Sequence, residues 1–286
     1  MAKKLKRGES VPEGVRRLAT ERLQGALELI ASGAPDGIHE VRKELKQLRA
    51  LLRLVRSELG KKRYAAENAR YRDIAKPLSA VRDSEVLVEA ARKLSGAGAL
   101  VRALEVRHRA LLHQVLVEER QLERCAQALE EALEAVPTWP LERRGWKALE
   151  PNLKALYARC RRARAEAQRS GTDEALHAWR KQTKYLRAML EVGAPAWPKV
   201  MRELDEGLRR LGDALGDDHD LAVLEGLIDR GELRLPSAMA ARARASVQAH
   251  RRALQADAFK LGGKLLGREP GELMRALHTG WKSWRR

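Results

Sequence analysis

Two short stretches of this chain carry the same ordered set of side chains suited to holding an anion. Ile38-His39-Glu40-Val41-Arg42-Lys43-Glu44-Leu45-Lys46-Gln47-Leu48-Arg49-Ala50 matches Leu176-His177-Ala178-Trp179-Arg180-Lys181-Gln182-Thr183-Lys184-Tyr185-Leu186-Arg187-Ala188 in His, Arg, Lys, Lys, Leu, Arg and Ala at a constant offset of 138 residues. At about 100° per helical residue, His39, Arg42, Lys43, Lys46, Arg49 and Arg53 fall within about 120° of arc, apart from an apolar stripe of Val41, Leu45, Leu48 and Leu52. The second stretch sets His177, Arg180, Lys181, Lys184 and Arg187 beside Trp179, Leu186 and Leu190 in the same way. From His39 to Arg53 the ridge is about 21 Å long, and no acid interrupts it. Arginine offers forked donors to paired oxygens and lysine a mobile point charge. Each histidine stands near a helix N-terminus, where the dipole and free N–H groups also favour an anion. Like charges three and four residues apart destabilise an isolated helix. One such ridge reads as a solvated basic face; two with the same spacing read as a site.

The elements that must position these ridges are helices. Of 286 residues, 44% are hydrophobic but only 4% aromatic, so the apolar content is mostly Ala, Leu and Val, which suits helices better than strands. The formal charge of +18 points to a polyanionic partner. No stretch free of Asp, Glu, Lys and Arg exceeds eight residues, which excludes a transmembrane helix and a secretory signal core. Cys125 and Cys160 lack metal-ligand spacing, so neither a zinc site nor a disulfide is expected, and a reducing, cytoplasmic interior is.

Ser10-Val11-Pro12-Glu13 is a capping box opening a first helix that stops near Gly33. Asp36 caps a second, to about Leu59-Gly60. A third runs from about Lys61 to Leu94, bent or broken at Pro77. After a loop at Ser95-Gly96-Ala97-Gly98, one long amphipathic piece reaches Val136-Pro137. Residues 137–151 form a linker, and helices then start at Pro151, Thr172, Pro198, Pro236 and Pro270. Downstream of the two ridges, Asp83-Ser84-Glu85-Val86-Leu87 answers Asp220-Leu221-Ala222-Val223-Leu224 at an offset of 137. The simplest architecture is all-α, with two pseudo-symmetric four-helix bundles from an internal duplication, residues 10–136 and 151–284.

Other constellations are weaker. Glu105-x-x-His108 and Glu174-x-x-His177 have di-iron spacing, but Arg180, Lys181 and Lys184 beside His177 repel a metal. Asp217-Asp218-His219-Asp220 resembles a metal cluster, yet its counterpart Arg82-Asp83 is no ligand set, so Asp83 and Asp220 are read as orienting guanidinium groups or capping helices. Histidines among cations fit binding better than phosphotransfer. Phosphoanhydride cleavage normally needs Mg²⁺ and carboxylates to hold it, which the proposed groove does not offer. Trp139, Trp146, Trp197, Trp281 and Trp284, near helix ends, read as packing residues rather than a base-stacking platform. Lys3-Lys4-Leu5-Lys6-Arg7 reads as a disordered basic arm.

The doubled His-x-x-Arg-Lys-x-x-Lys-x-Leu-Arg pattern, each copy followed by an Asp-containing helix (Arg82-Asp83, His219-Asp220), resembles the CHAD domain, the conserved histidine α-helical domain. The resemblance covers residues 10 to 284. It implies two four-helix bundles about a pseudo-twofold axis and a basic central groove or pore. It also implies binding of inorganic polyphosphate, in company with CYTH-type triphosphatase domains or on polyphosphate granules. Carried over by position, the ligand-facing set is His39, Arg42, Lys43, Lys46, Arg49, His177, Arg180, Lys181, Lys184 and Arg187, with Arg53 prolonging the first ridge. Arg72, Arg82, Arg209 and His219 are secondary candidates, and His219 departs from the first copy, which has Arg82. The expectation is a non-enzymatic binder of polyphosphate needing no metal or cofactor. A nonspecific nucleic-acid binder is the alternative, and a phosphoanhydride or phosphotransfer enzyme the third reading.

Overall fold

A computed structural model describes residues 3–33, 37–93, 98–233 and 235–286. Among them are ten α-helices and no strand: α1 Val11–Ser32, α2 Gly37–Leu54, α3 Arg56–Arg92, α4 Gly98–His113, α5 Gln121–Ala135, α6 Trp146–Ser170, α7 Asp173–Val192, α8 Pro198–Asp229, α9 Ser237–Leu265 and α10 Pro270–Arg285. Local chemistry sets many of the boundaries. Ser10 N–H donates to Glu13 at 2.7 Å while Glu13 N–H donates to Ser10 Oγ at 3.4 Å, the reciprocal box expected there. Gly33 ends α1 with φ of 61°, a left-handed conformation that glycine adopts without steric cost. Thr172 Oγ1 caps α7 by accepting from Ala175 N–H at 3.3 Å. Proline opens α8 and α10 in the first turn, where its missing N–H costs nothing.

Three expected boundaries move. The second helix ends at Leu54, not near Gly60, because Asn152 of α6 takes the Leu54 carbonyl at 3.1 Å and the chain turns to bury Val55. Gly60 is a kink inside α3 (φ 72°, ψ 167°), whereas Pro77 sits within the same helix without breaking it. The long 98–136 piece is divided: α4 runs into a π turn over Gln114–Glu118, and Arg120 reverses the chain with φ of 50°. The reversal lets α5 return onto α1 and bury Cys125, Leu129 and Ala132. Among the described residues the first stretch thus holds five helices, as does the second with the five starts already read there, where four-helix halves were expected. The 137–151 segment is only partly a linker, since α6 already begins at Trp146 and Trp139 and Leu141 are buried. Asp36 and residues 95–97, assigned above to a cap and a loop, lie outside the described residues.

The order of packing recurs along the chain. α1 lies on α2, α2 on α3, α3 on α4 and α1 on α5; α6 lies on α7, α7 on α8, α8 on α9 and α6 on α10. Across the halves α2 meets α7 and α3 meets α8. One buried cluster spans α1–α3 and α5–α10; the other joins the end of α3 and α4 to the end of α8 and to α9. Cys125 and Cys160 are buried free thiols, and burial pushes both up to about 11.

The basic arm is docked rather than disordered. Leu5 is buried, its N–H donates to Val192 O at 2.9 Å, and Lys3 pairs with Glu44 at 2.8 Å. Arg17 donates to the Lys4 carbonyl at 2.9 Å. Sequence reading weighted the charges of this segment and passed over its one apolar side chain. Leu5→Ala is expected to lower unfolding free energy by about 2 kcal/mol, the low end for a buried leucine, measured by urea denaturation. A change below about 0.5 kcal/mol, the usual surface value, would mean that the arm is not packed.

Candidate anion-binding site

Two buried faces fix the two cationic ones. Val41, Leu45, Leu48 and Leu52 of α2 are fully buried, as are Trp179, Leu186 and Leu190 of α7, with Trp179 stacked on Phe259 of α9 at 5.3 Å. With those faces committed to the core and α2 against α7, a cavity of about 290 Å³ opens between the ridges. Lys43 and Lys46 line it from α2, Arg180, Lys181, Lys184 and Arg187 from α7, and Arg209 from α8. His39, Arg72 and Arg82 are not among its walls.

The candidates divide sharply by what their charges meet. Arg42 is a tie between helices: buried, it donates to Leu78 O at 2.9 Å and to Asp83 at 3.2 Å. Arg187 is paired with Asp205 at 2.8 Å and Glu191 at 3.5 Å, and Arg209 with Glu206 at 2.6 Å and Asp213 at 3.0 Å. Lys43 meets Glu40 at 3.1 Å, Arg72 meets Asp73 at 2.9 Å, and Arg82 meets Glu85 at 2.7 Å and Glu89 at 3.3 Å. Arg49 donates to Asn68 at 3.1 Å, and Arg53 lies over the Tyr185 ring at 3.7 Å. Against these, Lys46, Arg180, Lys181 and Lys184 have no hydrogen bond or ion pair among the described residues, and Arg180 Nε is shut off from solvent without an acceptor. A buried donor left unpaired in a folded protein needs a reason.

Space for these side chains comes from Gly212 and Gly216 of α8, a pair the sequence reading missed despite its i, i+4 spacing. An added Cβ at Gly216 would touch Arg180 Nε at 3.6 Å and Lys184 Nζ at 3.7 Å, so a longer side chain would fill the cations' place. Asp213 and Glu191 also line the cavity. The expectation of a groove without carboxylates is thereby corrected; both acids are held by arginines.

Burial and crowding of like charge both act on the titratable groups here. Lys46 is open to water yet stands within a concave wall, and its pKa is pushed down to about 8, by burial first, then by Arg42, Lys184 and Arg180. Burial and Arg180 also lower Lys184, against Asp220, Asp213 and Asp217. His177 lies 4.2 Å from His219, ring to ring, and its Nδ1 is buried without a partner. Burial, Lys181, Arg180 and Lys184 lower His177; burial, His177 and Arg180 take His219 down to about 4. Both imidazoles are therefore neutral near pH 7. His39 differs from its counterpart: it is half exposed at the surface, 3.9 Å from Glu40. His219 has turned inward onto His177 where Arg82 turns out to Glu85 and Glu89, which accounts for the departure between copies.

The remaining constellations have structural partners. Asp218, only 2% exposed, receives Arg251 at 3.1 Å and Gln255 at 2.8 Å. Arg251 also binds Glu225 and Asp173, joining α7, α8 and α9. Asp217 meets Lys93, and Glu105 meets Arg92. Ser84 O–H donates to Val81 O at 2.7 Å, so its 2.8 Å contact with His108 Nδ1 is a bond donated by the ring. Trp146, Trp197, Trp281 and Trp284 form one ring cluster away from the cavity, and Trp139 is buried.

A family model described as "CHAD domain" matches residues 15–229. The chain belongs to the CHAD-domain family. Among solved structures, this CHAD protein is similar to "Crystal structure of the CHAD domain from the plant Ricinus communis", at 20% identity and a TM-score of 0.64, covering 97% of this chain and 95% of that one. It is also similar to "PptA from Streptomyces chartreusis", at 14% identity and a TM-score of 0.61, covering 96% and 100%. At such identities the likeness shows the all-α fold. Among curated proteins, none matches the chain. No helix among the described residues is long and apolar enough to cross a membrane.

The Lys46 ammonium is expected to titrate around pH 8 in the free protein, followed by lysine-resolved NMR. Lys184→Gln, which removes one neighbouring positive charge, should raise that value. A Lys46 titrating at the ordinary lysine value near 10.4 would contradict the crowded-cation geometry.

Proposed function

We propose that this CHAD protein binds inorganic polyphosphate, without turning it over, in the cavity between α2 and α7. The observation that carries the reading is that four cations without a hydrogen bond or ion pair among the described residues, Lys46 from α2 and Arg180, Lys181 and Lys184 from α7, border one cavity. Polyphosphate is a linear chain of tetrahedral anions with neither base nor sugar, so its receptor requires repeated cations and no stacking pocket. Tyr185, an aromatic residue in the cavity wall, carries Arg53 on its ring. The tryptophans are spent on packing. Both features favour polyphosphate over nucleic acid, whose nonspecific binders add aromatic stacking to charge. Asp213 and Glu191, the carboxylates in the wall, are engaged by Arg209 and Arg187, which favours binding over Mg²⁺-assisted cleavage. A receptor of this kind would sit on polyphosphate granules or beside a triphosphatase that acts on the same chain.

Binding is linked to protons with a definite sign. Bound phosphates replace like-charge repulsion at Lys46 by attraction and raise its depressed pKa. The complex therefore takes up protons near pH 8, and affinity falls as pH rises through that value. Lys46→Arg should remove this dependence while keeping affinity at pH 7.

The double variant Lys46→Ala with Lys184→Ala is expected to weaken polyphosphate binding by about tenfold or more, as two charge-assisted contacts are lost. Arg72→Ala, an exposed and already paired position, should change it by less than about twofold. Titration calorimetry at one salt concentration, with circular dichroism for helicity and RNA as competitor, measures both. Equal affinity in the double variant, or RNA displacing polyphosphate at equal charge concentration, would contradict the reading.

A further inference from the structure

The two flanks of the α2–α7 cavity are not alike. At the C-terminal end of α7, Arg187 is closed off by Glu191 and Asp205, and Arg209 by Glu206 and Asp213. At the C-terminal end of α2, the residue that corresponds to Glu191 at the offset of 138 is Arg53. Arg53 is held by the face of Tyr185 at 3.7 Å, and Arg56 next to it lies over the Tyr64 ring at 4.7 Å. The counterparts of these tyrosines are Gln47 at offset 138 and Met201 at offset 137, so the aromatic supports belong to the arginines that follow the α2 ridge and are not repeated after α7.

Beyond Arg53 the positive charge continues. Arg49 and Arg159 of α6 act on Arg53, and Arg56 and Arg162 act on Arg159. Among the described residues, Arg56, Arg159 and Arg162 form no hydrogen bond or ion pair, and no carboxylate is among the groups acting on Arg159. The means of support matters chemically. A guanidinium locked in a carboxylate fork has its charge compensated and its donors used. One laid flat on a ring is positioned through its face and keeps its charge for a ligand; Arg53 spends Nη1 on the Arg49 carbonyl at 2.7 Å and no donor on a carboxylate. Tyr185 belongs both to the cavity wall and to the support of Arg53, which makes the cavity and the arginine cluster continuous.

We propose that Arg56, Arg159 and Arg162, with Arg53 as the link, form a second subsite, by which the part of a linear polyanion too long for the cavity leaves it in one direction, across α6. This rests on the polyphosphate reading of the cavity. On the α7–α8 flank Arg187 and Arg209 have their donors taken by Glu191, Asp205, Glu206 and Asp213, so the ligand overhangs on the α2 side, where the arginines have no carboxylate partner. Affinity then grows with chain length through contacts the cavity does not supply.

The test compares tripolyphosphate with long-chain polyphosphate on the wild type and on the triple variant Arg56→Ala, Arg159→Ala, Arg162→Ala, at several salt concentrations, with helicity checked by circular dichroism. The expected result is an approximately tenfold loss for the long chain, a slope of log affinity against log salt shallower by about 2, and unchanged tripolyphosphate binding. Unchanged long-chain affinity in a folded variant would overturn the subsite, as would equal losses for both ligands, which would place the arginines in the cavity site itself. A wild type that binds neither ligand would instead remove the polyphosphate reading, and the subsite with it.

Discussion

Everything in this fold turns on keeping a small group of like charges together without partners. Lys46 from one helix and Arg180, Lys181 and Lys184 from another repel each other across the cavity, and burial first, then neighbouring cations, lower the pKa values of Lys46 and Lys184. What opposes it is hydrophobic burial on the reverse faces of the same helices. Val41, Leu45, Leu48 and Leu52 of α2 and Trp179, Leu186 and Leu190 of α7 are buried, and such burial stabilises by about 25 cal/mol per Å² of apolar surface. The site is thus a by-product of amphipathic helices whose polar faces cannot turn elsewhere.

Arginines with partners act as framework around those without. Arg42 reaches from α2 to the Leu78 carbonyl and Asp83 of α3, and Arg251 gathers Asp173, Asp218 and Glu225 at the junction of α7, α8 and α9. Burial raises the Asp218 carboxyl, while Gln255 and Arg251 pull it back. Removing one partner of such a buried pair strands the other. Framework and site can share a motif: Arg42 and Arg180 occupy matching positions, yet one is tied and the other is unpaired with its Nε buried.

The sequence shows the helical class, the caps at Ser10 and Thr172 and the two apolar stripes, because each follows from spacing along one helix. Interruptions set from outside are invisible to it. Asn152 stops α2 at Leu54 from another helix, and α5 must reverse at Arg120 to reach α1. At the site the sequence identified the cations but could not sort them, since partnership is decided by acids far along the chain, such as Asp205 for Arg187 or Asp83 for Arg42. His39 and His177 look equivalent in the motif and differ in the fold because only His177 has His219 beside it. The Gly212–Gly216 pair was legible as a spacing, but its use became clear only with Arg180 and Lys184 opposite.

The most direct test of the account is a crystal structure of the protein with a short polyphosphate bound. Phosphate oxygens are expected within about 2.7–3.2 Å of Lys46 and of Arg180 or Lys184 in one molecule, so that a single ligand bridges α2 and α7. A chain lying only on outward-facing arginines, with those cations untouched, would contradict it.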